Sequence, residues 1–114
     1  MKKQNRLSRS RDFDAVYRHG RSVSTRYLVL YWFPQDDPGE PRFGFSVPKA
    51  VGTAVVRNRI KRQLRELWRE RLGRIPPGND YVVIVRPILA DALAANGYDW
   101  LGERIDEAVE RAAL

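Results

Sequence analysis

The segment Lys49–Leu72 reads K-A-V-G-T-A-V-V-R-N-R-I-K-R-Q-L-R-E-L-W-R-E-R-L. Val56, Ile60, Leu64 and Leu67 recur at three- and four-residue steps, which stacks them along one side of an α-helix. The same winding gathers Asn58, Lys61, Arg62, Arg65 and Arg69 on the far side. Any fold built from this chain must cover the first stripe and leave the second facing water or an anion. Thr53 can accept an open first-turn N–H bond beside Gly52, and Gly73 supplies an exit.

A basic outer face is most often solvated surface, but such faces usually mix signs through i,i+4 pairs. Arg57–Arg71 carries seven bases against only Glu66 and Glu70. Six of the seven are Arg, whose planar fork matches phosphate oxygens and stacks on bases. This is the composition of a polyanion-binding helix. The net charge of +7 is unevenly spread: Met1–Arg26 has eight bases and two acids, whereas Leu72–Leu114 has four bases and seven acids. Two basic blocks suit association with nucleic acid or an anionic membrane.

The chain of 114 residues fits one domain, 1–114, with a real but modest core and residues 1–9 as a loose basic arm anchored by Leu7. No apolar run is long enough to span a bilayer, Lys2 and Lys3 precede no apolar signal core, and there is no cysteine to acylate. A soluble, cytoplasmic protein with no membrane partner is expected. The absence of cysteine also removes disulfides, thiolate metal sites and Cys nucleophiles.

In chain order, Phe13, Val16 and Tyr17 have helical spacing, with Ser10 as the expected N-cap, Asp12 near the positive helix end and Gly20 as a stop. His19, the sole histidine, reads as an exposed end residue. Tyr27–Phe33 is a strand apolar on both faces, and Arg42–Val47 alternates Phe43, Phe45 and Val47 with Gly44 and Ser46. An antiparallel hairpin is their simplest arrangement, and the small residues leave space for either a groove or a covering helix. Asp80–Arg86 is a central strand buried on both sides, Ile88–Ala95 a short helix, and the last helix starts near Asp99. That helix carries Leu101, Ile105, Ala108, Val109 and Ala112 inward, with Glu103, Asp106, Glu107 and Glu110 on an acidic outer face. Helix, strand, strand, helix, strand, helix defines an α+β fold, and the default hand of the crossover through the basic helix is right.

Four motifs at compatible spacing carry a resemblance: R-D-F-D-A-V-Y-R-H-G-R-S-V at Arg11–Val23, F-G-F-S-V-P-K at Phe43–Lys49, G-T-A-V-V-R-N-R-I-K-R at Gly52–Arg62 and D-Y-V-V-I-V-R-P at Asp80–Pro87. Together they resemble the protein component of bacterial ribonuclease P over about four fifths of the chain. The resemblance implies a two-layer α/β sandwich with a small mixed sheet, three main helices and a left-handed β-α-β crossover. It implies a non-catalytic subunit that assists removal of the 5′ leader from precursor tRNA. Its RNA subunit would perform hydrolysis with Mg²⁺ held mainly by RNA, no cofactor bound by the protein alone, and no protein oligomer required. Arg57, Asn58, Arg59, Lys61, Arg62 and Arg65 would meet the ribonuclease P catalytic RNA, and Phe13, Tyr17, Val29, Tyr31, Ser46 and Lys49 would line the cleft for the precursor tRNA 5′ leader. Ala50 stands where the family often has a second basic residue, and Thr53 where it often has Asn. The region after Pro87 matches loosely.

The chemistry of these residues agrees independently. A strand of variable sequence is best held by flat rings and a few cations, because stacking tolerates any base. Phe13 and Tyr17 sit one helical turn apart, which is also ordinary core spacing. Two competing readings are a self-sufficient nuclease, for which clustered carboxylates or a partnered His are lacking in the basic segments, and a ribosomal-type or general RNA-binding protein using the same helix. A helix-turn-helix would need a helix where a strand precedes the basic segment.

Overall fold

The computed structural model describes residues 5–114. Its elements are α1 (Ser10–His19), β1 (Arg21–Ser24), β2 (Leu28–Pro34), β3 (Arg42–Ser46), α2 (Ala54–Glu70), β4 (Asn79–Val85), α3 (Leu89–Asn96) and α4 (Tyr98–Ala112). The strand apolar on both sides, β4, lies inside the sheet, whose order is β1-β2-β4-β3. Tyr81, Val83 and Val85 bury themselves on one face of β4, and Val82 on the other.

The hairpin expected between Tyr27–Phe33 and Arg42–Val47 does not form. β4 inserts between them, pairing antiparallel with β2 and parallel with β3. β2 is apolar on both faces and β3 on the face that carries Phe43 and Phe45, so each gains more from the buried β4 than from the other across the polar Pro34–Pro41 loop. The short strand β1, not expected from sequence, pairs antiparallel with β2 and closes the far edge. The parallel pair β3 and β4 requires the chain between them to cross over, and α2 is that crossover.

The α2 stripe of Ile60, Leu64 and Leu67, joined by Trp68, packs on the face that carries Leu28, Leu30, Phe43, Tyr81, Val83 and Val85. Trp68 is fully buried, its ring 5.0 Å from that of Phe43, which lies 5.1 Å from Tyr81 on its other side. Leu89, Leu93, Leu101 and Ile105 bring α3 and α4 into the same cluster, so these three helices cover one face of the sheet; the fold is the expected α+β, with helices on both faces of the sheet in place of two layers. Thr53 caps α2 as its sequence implies, accepting the Val56 N–H at 3.3 Å. Gly73 is not the exit itself. The helix ends at Glu70 and tightens into a 3-10 turn, Leu72–Arg74.

On the opposite face α1 is the only helix among the described residues, and it runs across the strands. Asp12 reaches Arg42 of β3 at 3.8 Å, Phe13 rests on Gly44, and His19 ends beside Phe33 of β2 with ring centres 5.9 Å apart. Arg9, one residue earlier than expected, occupies the N-cap position, and Ser10 is the first helical residue. Gly20 ends α1 with an ordinary φ of −76°; glycine is required there because a Cβ would meet the Val16 carbonyl oxygen at 2.3 Å and that of Trp32 at 2.7 Å.

The loose arm expected over residues 1–9 is tied down where it is described. Asn5 and Leu7 are buried, Arg6 forms a parallel bridge with Phe43, and the Leu7 N–H donates to the Phe43 carbonyl at 2.9 Å. Asn5 Nδ2 donates to the Pro41 carbonyl at 2.9 Å. The exposed edge of β3 is what recruits this segment, since unpaired strand groups take up a neighbouring chain. Residues 1–4 of the arm lie outside the described residues.

A Cβ at position 44 would lie 2.3 Å from the tip of the Phe13 ring, closer than any relaxed contact. Gly44→Ala should therefore destabilise the protein by about 1–3 kcal/mol in denaturant unfolding, and Phe13→Leu in the same chain should recover part of the loss. Equal stability of Gly44→Ala and the parent would contradict this seating of α1.

Candidate nucleic-acid interface

Register decides which side chains share the α1 face. One row across the sheet holds Ser22, Tyr31, Val82 and Gly44, and the next holds Ser24, Val29, Ile84 and Ser46. The helix α1 covers the first row through Phe13 and Val16 but leaves the second partly open: Val29, Ile84 and Ser46 are half-buried and Ser24 is exposed. The result is a trough with α1 as its wall and a floor four strands wide, about 14 Å at ordinary strand spacing.

Of the expected cleft residues, Tyr17, Val29, Tyr31 and Ser46 meet in this trough. Tyr17 is 37% exposed, lies edge-on to Tyr31 with centroids 5.3 Å apart, and brings its hydroxyl toward that of Ser46. Burial pushes its phenol above the usual tyrosine value, with the Ser46 hydroxyl opposing, so the ring stays neutral at physiological pH. Phe13 does both things its spacing allowed: it is half-buried on Gly44 and borders the β3 end of the trough. Lys49 is exposed in the 3-10 turn Lys49–Val51 that follows β3. Ile84 belongs to the floor and was missed, because its place depends on β4 lying beside β3.

The basic helix presents a shallow groove lined by Val55, Asn58, Arg59, Lys61, Arg62 and Arg65. Asn58, Arg59 and Arg62 are exposed and Lys61 and Arg65 half-buried. Arg57 departs from the expected set: its Nε donates to the Gly52 carbonyl at 3.2 Å, so it also braces the helix entry. Val55, 68% exposed, adds an apolar spot that charge counting overlooked.

The acidic last helix limits this surface at one end. Glu103, Glu107 and Glu110 face outward, but Asp106 does not belong with them. It accepts from Arg71 Nε at 2.6 Å and Arg74 Nη2 at 2.6 Å. It lies there because α4 packs beside the end of α2, where its carboxylate offsets the guanidinium groups of Arg74 and of Arg71, the latter also 3.6 Å from Glu70. The Arg71 hydrogen bond, seconded by that of Arg74, holds the Asp106 carboxyl below the usual aspartate value against the opposing effect of burial. The acidic helix thus neutralises the tail of the basic stripe and leaves the Asn58–Arg65 stretch open.

Architecture and charge together define a class: a small α+β protein with a cationic crossover helix on one layer and an aromatic trough on the other. The Ribonuclease P family model matches residues 1–112, and the chain belongs to that family. The chain is similar to the ribonuclease P protein component of Desulforamulus reducens, 50% identical over 91 residues that cover 80% of each chain. It is 43% identical to that of Thermobifida fusca over 93% of this chain and 74% of the relative. The solved ribonuclease P protein of Thermotoga maritima superposes with a TM-score of 0.84 at 31% identity, covering 93% of this chain and 96% of that one. The family role is that of a protein subunit in the enzyme that matures tRNA 5′ ends.

Because the Asp106 pKa is depressed by folding, its contribution is complete above the ordinary carboxylate range and is lost as pH falls through the lowered value. Asp106→Asn should cost about 1 kcal/mol in unfolding free energy near neutral pH, and the difference from the parent should shrink below pH of about 4. A pH-independent difference would contradict an ionic origin.

Proposed function

We propose that this chain binds the ribonuclease P RNA through Asn58, Arg59, Lys61, Arg62 and Arg65, with Arg57 at the helix entry. It holds the single-stranded 5′ leader of precursor tRNA against Phe13, Tyr17, Val29, Tyr31, Ser46 and Lys49. The RNA subunit breaks the phosphodiester bond and holds most of the Mg²⁺, and the complex works in the cytoplasm. The observation that carries this reading is the open Val29–Ile84–Ser46 row beside exposed Tyr17, on a fold whose crossover helix is cationic. A neutral aromatic floor accepts bases of any sequence, while guanidinium forks neutralise phosphates. Side chains of this sign repel a divalent cation, which favours the RNA phosphates as the seat of magnesium.

Reconstitution tests the whole. At low magnesium, the protein mixed with a ribonuclease P RNA should rescue processing of a precursor tRNA, and absence of rescue would overturn the proposal. Tyr17→Ala and Tyr31→Ala should each weaken leader-bearing substrate by about tenfold and mature tRNA hardly at all, since one stacked base is worth roughly 1–3 kcal/mol. Equal losses for both ligands would sink the trough assignment. Replacing Arg59, Lys61 and Arg62 with Gln should flatten the salt dependence of assembly with the RNA subunit.

A further inference from the structure

The trough and the cationic helix occupy opposite layers of the sheet, yet one depression touches both. It wraps the outer edge of β3 and is lined by Phe13 and Gly44 from the trough side, Phe43 and Phe45 from the helix side, Lys61 and Arg65 of α2, and Arg6 with Leu7 at the edge itself. Among the described residues, three cations and no acid line it. The main chain adds a donor. The Phe43 carbonyl points away from β4 to receive the Leu7 N–H, so Phe45, two residues on, turns its N–H to the same outer edge. Among the described residues, the N-terminal segment bridges β3 only at Phe43, as an isolated pair, and does not extend along the strand to Phe45.

We infer that this edge is a subsite for one further nucleotide of the single-stranded leader as it leaves the trough over β3. Its phosphate is received by Arg6, Lys61 and Arg65 together with the Phe45 N–H, and its sugar and base lie against the Phe13 and Phe45 rings. The assignment rests on the trough reading above and extends it: α1 runs across the strands, so a strand lying in the open row beside α1 crosses β3 at Ser46, next to Phe45, which lines the depression. Cations on a strand edge beside flat rings fit a nucleotide better than a duplex, whose bases are stacked away from reach. Arg6 and Phe45 thereby acquire a role in leader binding that neither charge blocks nor motif spacing assigns.

The test is a series of precursor tRNAs whose leaders lengthen one nucleotide at a time, bound to the reconstituted holoenzyme at several salt concentrations. For the parent, the log–log salt slope should steepen by about 0.7 at the leader length that first reaches the depression. With Arg6→Gln that step should vanish and the long-to-short affinity ratio should fall severalfold, with Arg6→Lys restoring both. Phe45→Leu should lower the ratio without changing the slope. A loss in Arg6→Gln that is equal at every leader length, or that appears in assembly with the RNA subunit, would overturn the inference, as would an unchanged step. Tyr31→Ala in the same series reports on the trough separately. If it is length-independent, the trough reading itself has failed, whatever Arg6 does.

Discussion

The position of β4 is the constraint from which the rest follows. A strand apolar on both faces cannot sit at an edge, and here it has β2 on one side and β3 on the other. Its parallel pairing with β3 forces a crossover, and the chain that makes it is residues 47–78. The basic helix is therefore held between two strands of one sheet, with Ile60, Leu64, Leu67 and Trp68 buried on its inner side. Its cations are presented on a rigid mount, so they need little further ordering when a polyanion arrives.

The same insertion shapes the other face. With β4 between β2 and β3, Tyr31 and Gly44 fall in one row with Val82, and Val29 and Ser46 in the next with Ile84. The single helix α1 spans one row and borders the other. A second helix on this face would have filled the trough, and a larger residue at position 44 would have lifted α1 from its seat. Small residues that look like weak points in a strand are here what lets the tip of an aromatic ring rest on the backbone.

The legible parts of the sequence were those governed by nearest neighbours along the chain. Helix α2, its Thr53 cap and the two-sided burial of β4 follow from local periodicity, and the cationic residues follow from counting signs. Strand partnership does not. The choice of β4 over β3 as the partner of β2 depends on contacts some fifty residues apart, so a hairpin is the natural error, and Ile84 and Phe45 escape notice with it. The strand β1 has only Val23 as an inward apolar residue, too little for a periodic signal. The anchoring of Asn5–Leu7 is equally invisible, because a polar basic segment gives no sign that a strand edge awaits it. Asp106 looked like its acidic neighbours until the packing of α4 set it against Arg71 and Arg74.

The sheet has one pair of sequence-adjacent strands that bond to each other, β1 and β2, and every other pairing waits for residues 79–85. During synthesis, β2 and β3 therefore emerge with nothing between them, and both sides of the gap stay wet until the basic helix has been made and the chain has doubled back. Closure is set by this long detour rather than by a local turn, so the nascent protein carries open strand edges until residues 79–85 have been made.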